Sequence, residues 1–153
     1  MAHPPRFDPE DPLLHRLRDI ALALPGADEK VSHGRPTFFT RKVFAIFGGV
    51  VKGDHHSDTL ARSVLFLPAA DEREALLADG RFVVPGYEGA YGWLCLPLDR
   101  GGSSGPDTGR RSPSTDSTAR GVDWDEVSEL VEESYRNTAP VTLVRALDAR
   151  SAG

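Results

Sequence analysis

The stretch Pro36-Thr37-Phe38-Phe39-Thr40-Arg41-Lys42-Val43-Phe44-Ala45-Ile46-Phe47 decides the fold class. Two runs rich in β-branched and aromatic residues are separated only by Arg41-Lys42, so the chain reads as a hairpin. The second run is apolar on both faces, which predicts a strand in the middle of its sheet, covered on either side. Gly48-Gly49 follows at once and suggests a bulge or a close approach of backbone.

Upstream of the hairpin, Val31-Ser32-His33 is short and alternating. Further back, Asp11-Pro12 supplies an N-cap followed by proline at the first helical position. Leu13, Leu14, Leu17, Ile20, Ala21 and Leu24 recur at helical spacing until Pro25-Gly26, which predicts a helix over 12–24. Residues 1–10, with Pro4, Pro5 and Pro9, read as a loose arm.

Downstream, Asp54-His55-His56-Ser57-Asp58 is a polar loop and Ser63–Leu67 is a strand closed by Pro68. Asp71 and Glu74 have capping-box spacing and open a short helix that Gly80 ends. Arg81–Val84 and Gly92–Leu96 read as two further strands. Residues 100–121 hold one hydrophobic side chain, Ala119, too few to offset the entropy of ordering, so they read as a disordered insertion. Asp123 and Glu126 then form a second capping box, with Val122 and Val127 as a hydrophobic staple. The buried stripe of that helix is Trp124, Val127, Leu130, Val131, Ser134 and Tyr135, and acids line its outside. The end, 138–147, reads either as one more short helix or as an extended arm. Helix, strands, helix, strands, helix with hairpin-length links specifies α+β: an antiparallel sheet of about five strands packed in two layers against helices.

The 153 residues fit one domain, and 39% hydrophobic with 27% charged residues is an ordinary globular composition. A lone cysteine, Cys95, excludes an internal disulfide and a multi-cysteine zinc site; among buried-looking neighbours it reads as an inert core thiol. With no long apolar run and no apolar stretch near Met1, the chain is expected to be soluble and cytoplasmic, without a membrane partner.

The net charge of −5 argues against a binder that uses its whole surface to hold nucleic acid. Its distribution is uneven. Residues 30–53 carry Lys30, Arg35, Arg41, Lys42 and Lys52 and no acid, so of the 18 basic residues 13 are left against 23 acids elsewhere. Such a block is a local field that can dock a polyanion. The same cations also suit an ordinary solvated hairpin tip.

Other constellations carry less. His55-His56 between Asp54 and Asp58 lacks a third ligand at motif spacing, so no metal or cofactor is expected. His33 reads as a surface or hydrogen-bonded histidine. Gly101-Gly102-Ser103-Ser104-Gly105 matches a hydrolase elbow in letters only, because no helix follows it. With no nucleophile set and no acid–base pair, the reading leans away from an enzyme. The segment Gly86–Trp93 is a second candidate site: Tyr87, Tyr91 and Trp93 alternate with glycines around Glu88, giving flat surfaces for a ligand, a base or a partner. An aromatic loop packed on its own core has the same composition, and Trp93 in particular suits that.

The run Leu24-Pro25-Gly26-Ala27-Asp28-Glu29, then Ser32-His33-Gly34-Arg35-Pro36-Thr37-Phe38 and Arg41-Lys42-Val43-Phe44-Ala45, resembles the front half of the MmcQ/YjbR family. Arg81-Phe82 before Tyr87, Gly92-Trp93-Leu94 and Ser134-Tyr135-Arg136 extend the resemblance to residues 12–99 and 121–147. The insertion at 100–121 departs from it, since related chains join these elements by a shorter turn. The resemblance implies a two-layer α+β domain similar to secretion chaperones. It also implies DNA contact through a double-wing arrangement, in which hairpins meet the duplex; it brings no catalytic motif. Two readings stay open: a non-enzymatic DNA-binding protein using the basic hairpin region, or a module that binds a small molecule or a protein through loop 86–93. Monomer and homodimer are both compatible with the sequence.

Overall fold

The computed structural model describes residues 7–53, 59–99 and 122–152. The His55-His56 loop, the insertion 100–121 with its Gly101–Gly105 run, and the first six residues of the arm lie outside the described residues. The elements are α1 (Pro12–Leu22), β1 (Asp28–Ser32), β2 (Arg35–Phe39), β3 (Val43–Phe47), β4 (Ser63–Phe66), α2 (Ala70–Asp79), a 3₁₀ turn (Glu88–Tyr91), β5 (Leu94–Pro97), α3 (Trp124–Thr138) and α4 (Val141–Ala152).

The five strands form one sheet in the order β1-β2-β3-β4-β5, each neighbouring pair antiparallel. This is the α+β architecture expected from the hairpin, with β3 in the middle as its two-faced apolarity requires. Phe38 pairs with Ala45 and Phe39 with Val43, which leaves Phe44 as an extra residue on β3. The bulge lets Phe44 and Ala45 both enter the core on the helix side. There the Phe44 ring meets Tyr135 edge-on, 5.4 Å between centroids.

Helices α1 and α3 cover that face. Asp11 caps α1 by accepting from the Leu13 N–H, and Leu13, Leu14, Leu17 and Ala21 are buried beneath it. From α3 come Val127, Val131, Ser134 and Tyr135. The Ser134 hydroxyl donates to the Phe44 carbonyl (2.6 Å) and accepts from the Leu67 N–H (2.9 Å), so one fully buried side chain ties α3 to β3 and to the residue just after β4. The Tyr135 hydroxyl donates to the Pro25 carbonyl at 2.6 Å. The C-terminal stretch resolves as helix α4, whose Leu147 is buried and whose Arg150 donates twice to the Ala23 carbonyl.

The opposite face holds a smaller cluster of Ile46, Leu60, Leu65 and Cys95, with Val43, Val51, Val83 and Trp93 packed around it. It is covered by irregular chain rather than helices.

Two local expectations fail. Arg81–Val84 is not a strand: only Val83 pairs, exchanging both backbone hydrogen bonds with Cys95 along the outer edge of β5. Pro85 has no N–H to continue a ladder, and the chain turns there to bridge Val51. Asp71 does not cap α2, whose N-cap is Ala69, with no side-chain cap. The chain runs from β4 through Pro68 directly into the helix, which places Asp71 and Glu72 in the first turn, where their charge opposes the helix dipole. At α3 half of the second box forms: Asp123 accepts from the Glu126 N–H, while the Glu126 carboxylate pairs with Arg81.

Candidate functional site

Of the five cations of the basic block, Arg41 and Lys42 lie beyond one end of the β1–β2 ladder, Arg35 and Lys52 lie at the other, and Lys30 sits midway along β1. Ser32 pairs with Arg35 at one end of the β1–β2 ladder and Asp28 with Phe39 at the other, which puts about 14 Å of strand between them. Arg41 and Lys42 are exposed in the turn beyond Phe39. Lys30 pairs with Thr37 midway along the ladder, but its ammonium reaches toward the hairpin end, 4.8 Å from the Phe39 ring centroid and within cation–π range. Of the two acids on β1, Glu29 is paired with Arg18, and Asp28, at the hairpin end, is exposed and accepts from the Glu29 N–H.

Arg35 stands at the opposite end and is withdrawn from solvent. It donates to the Gly48 carbonyl at 3.0 Å and to Glu88 at 2.7 Å, with the two side chains 15% and 18% exposed. Lys52 is exposed in the turn after β3 on this side, where a Cβ on Gly86 would come 3.5 Å from its Cα.

Lys30, Arg41, Lys42 and Lys52 form no ion pair with a carboxylate among the described residues, whereas five other arginines, Arg35 among them, are compensated. Arg18 is paired with Glu29, Arg62 with Asp11, Arg81 with Asp79 and Glu126, and Arg136 with Glu132 and Asp148. Hydrogen bonds to these carboxylates raise the pKa of each of the four guanidinium groups above its ordinary value. The hairpin end is thus a place where positive charge is left over.

The Arg35 end has a different character, because its backbone is strained. His33 and Gly34 both have positive φ (54° and 77°), the signature of the type I′ turn that joins strands through two residues. Tyr87 has φ 61° and ψ −75°, and the Glu88 N–H donates to the Gly86 carbonyl at 2.7 Å. That is a γ-turn of the rare positive-φ kind, which costs about 1–3 kcal/mol in a residue with a side chain. The only two non-glycine residues with positive φ among those described therefore flank the Arg35–Glu88 pair in sequence. Close packing fixes the loop: the Gly86 N–H donates to the Val50 carbonyl at 2.8 Å, and a Cβ on Gly89 would stand 2.5 Å from the Val84 side chain.

Of the loop residues singled out from sequence, Tyr87 and Tyr91 are exposed, at 62% and 81%. Glu88 belongs to the ion pair, and Trp93 packs into the small cluster under the loop. Sequence reasoning did not join Arg35 to Glu88, 53 positions apart, and no local signal could have. Elsewhere, a cavity of about 430 Å³ opens between Phe7, Phe47, Asp11 and Arg62, but both carboxylate oxygens of Asp11 are engaged by the Arg62 guanidinium. Among the described residues no group of three His, Cys, Asp or Glu could hold a metal ion, and no helix is long and apolar enough to cross a membrane.

No curated protein and no solved structure matches this chain. A family model described as YjbR matches residues 22–137, from the end of α1 to the end of α3, leaving α4 outside. That span is about three quarters of the sequence and contains both ends of the sheet, so this chain belongs to the YjbR family.

Proposed function

We propose that this protein is a non-enzymatic binding protein that contacts the phosphate backbone of duplex DNA through the hairpin end of its sheet. The observation that carries the reading is the exposed charge of Lys30 on β1 and of Arg41 and Lys42 in the β2–β3 turn, none of which pairs with a carboxylate among the described residues, whereas Arg18, Arg35, Arg62, Arg81 and Arg136 do. Hairpin tips can follow a phosphate backbone without a recognition helix, and contacts of this type position a protein without reading sequence. Arg35 has no place in this contact, because Glu88 already holds it. Lys52 is at the other end of the sheet.

Three phosphate contacts make for weak, salt-sensitive binding. Each contributes about −0.9 to the slope of log affinity against log salt, so the slope is about −2.7. Titration of a fluorescent duplex at low and moderate salt tests this. Lys30→Ala/Arg41→Ala/Lys42→Ala should remove binding and Lys52→Ala should leave it intact. No binding at low salt, or equal binding by the triple variant, refutes the proposal.

A further inference from the structure

Asp28 and Lys30 are two residues apart on β1, so their side chains stand on one face of the sheet, together with those of their ladder partners Phe39 and Thr37. Both are exposed, and an ion pair between them would cancel the cation. Each is engaged elsewhere. The Asp28 carboxylate accepts from the Glu29 N–H at 2.8 Å, and the Lys30 ammonium lies diagonally across the ladder, 4.8 Å from the Phe39 ring centroid. Glu29, the other acid of β1, is held by Arg18. The Phe39 ring is half-buried on a backbone paired on both sides, with Asp28 in β1 and Val43 in β3, so it is a fixed seat for a flexible lysine stem. Phe39 is also the last residue of β2, two positions before Arg41.

We infer that Phe39 is a positioning residue for the duplex contact: its ring holds the Lys30 ammonium toward the Arg41-Lys42 turn and away from Asp28. The inference rests on the proposed phosphate contact, and it explains how a cation midway along β1 joins two that lie beyond its end. An uncharged ring under the ammonium leaves the full positive charge for a phosphate, whereas a carboxylate in that place would neutralise it. Without the ring, the lysine stem turns back to Asp28 and the third contact is lost.

The test uses the full chain, the same fluorescent duplex and two readouts. In NMR spectra the Lys30 Hε protons should be shifted upfield by the ring in wild type and in Phe39→Tyr, and should take the ordinary lysine position in Phe39→Leu. In titrations at low salt, Phe39→Tyr should bind like wild type and Phe39→Leu about two- to fivefold more weakly. The salt slope of Phe39→Leu should fall in magnitude from about 2.7 toward about 1.8. In a Lys30→Ala background, Phe39→Leu should cost nothing further, and in an Asp28→Asn background less than about twofold. The inference is overturned by unshifted Lys30 protons in wild type, by a Phe39→Leu loss that persists undiminished in either background, or by Phe39→Leu binding as well as wild type. That last result would leave the phosphate contact standing, whereas a wild type that binds no duplex refutes the contact and the inference together.

Discussion

The two ends of this sheet share one basic block of sequence and use it in opposite ways. At the hairpin end, Lys30, Arg41 and Lys42 face water and meet no carboxylate among the described residues. At the other end, Arg35 is drawn inward, paired with Glu88 and fastened to the Gly48 carbonyl, where it braces a strained loop. Charge left over creates a field, whereas charge consumed in a half-buried pair creates rigidity. Counting cations along a chain cannot separate the two, because the separation is made by a partner 53 residues away.

The largest expected effect follows from that contrast. Arg35→Ala leaves Glu88 partly buried without its cation and should lower stability by about 2–3 kcal/mol in urea unfolding. Arg41→Ala and Lys42→Ala, on an exposed turn, should each stay within about 0.5 kcal/mol of wild type. Equal losses at all three positions would erase the distinction between the ends. A double-mutant cycle of Arg35→Ala with Glu88→Gln sharpens it: the two changes should be non-additive by about 1–2 kcal/mol if the pair acts as a unit.

Tyr87→Gly is expected to have the next largest effect, and with opposite sign. Glycine takes positive φ without a Cβ penalty, so the variant should be more stable by about 0.5–1 kcal/mol after allowing for the added freedom of its unfolded chain. A variant that is less stable than wild type would mean that the Tyr87 ring contributes more by packing than its backbone costs.

The smallest effect sharpens the electrostatic half of the contrast. Lys52→Ala, at the Arg35 end, should leave the duplex salt slope unchanged, and Arg41→Ala should reduce its magnitude by about 0.9. Equal slopes would place the contact elsewhere.

Much of the fold was legible because it depends on local pattern. The two apolar runs around Arg41-Lys42 specified the hairpin and the central place of β3, and the leucine spacing specified α1. What escaped depends on partners distant in sequence. Arg81–Val84 has strand-like composition, but Pro85 and the bridge to Val51 divert it into a covering loop. Glu126 has capping-box spacing, yet Arg81, 45 positions away, takes its carboxylate. The same holds for the site. The tyrosines and cations could be named from sequence, but their division between two ends follows from the register that sets Ser32 against Arg35 and Asp28 against Phe39. Backbone strain at Tyr87 has no residue signature at all, since tyrosine is not a residue that favours positive φ.

The division of the basic block is tested most directly by following backbone amide chemical shifts of the 16.6 kDa protein while a short DNA duplex is added at low salt. The account predicts shifts at Lys30, Arg41 and Lys42 that fade with added salt, with Arg35 and Lys52 unmoved. Shifts centred on Arg35 and Lys52, or none at the hairpin end at saturating duplex, would contradict it.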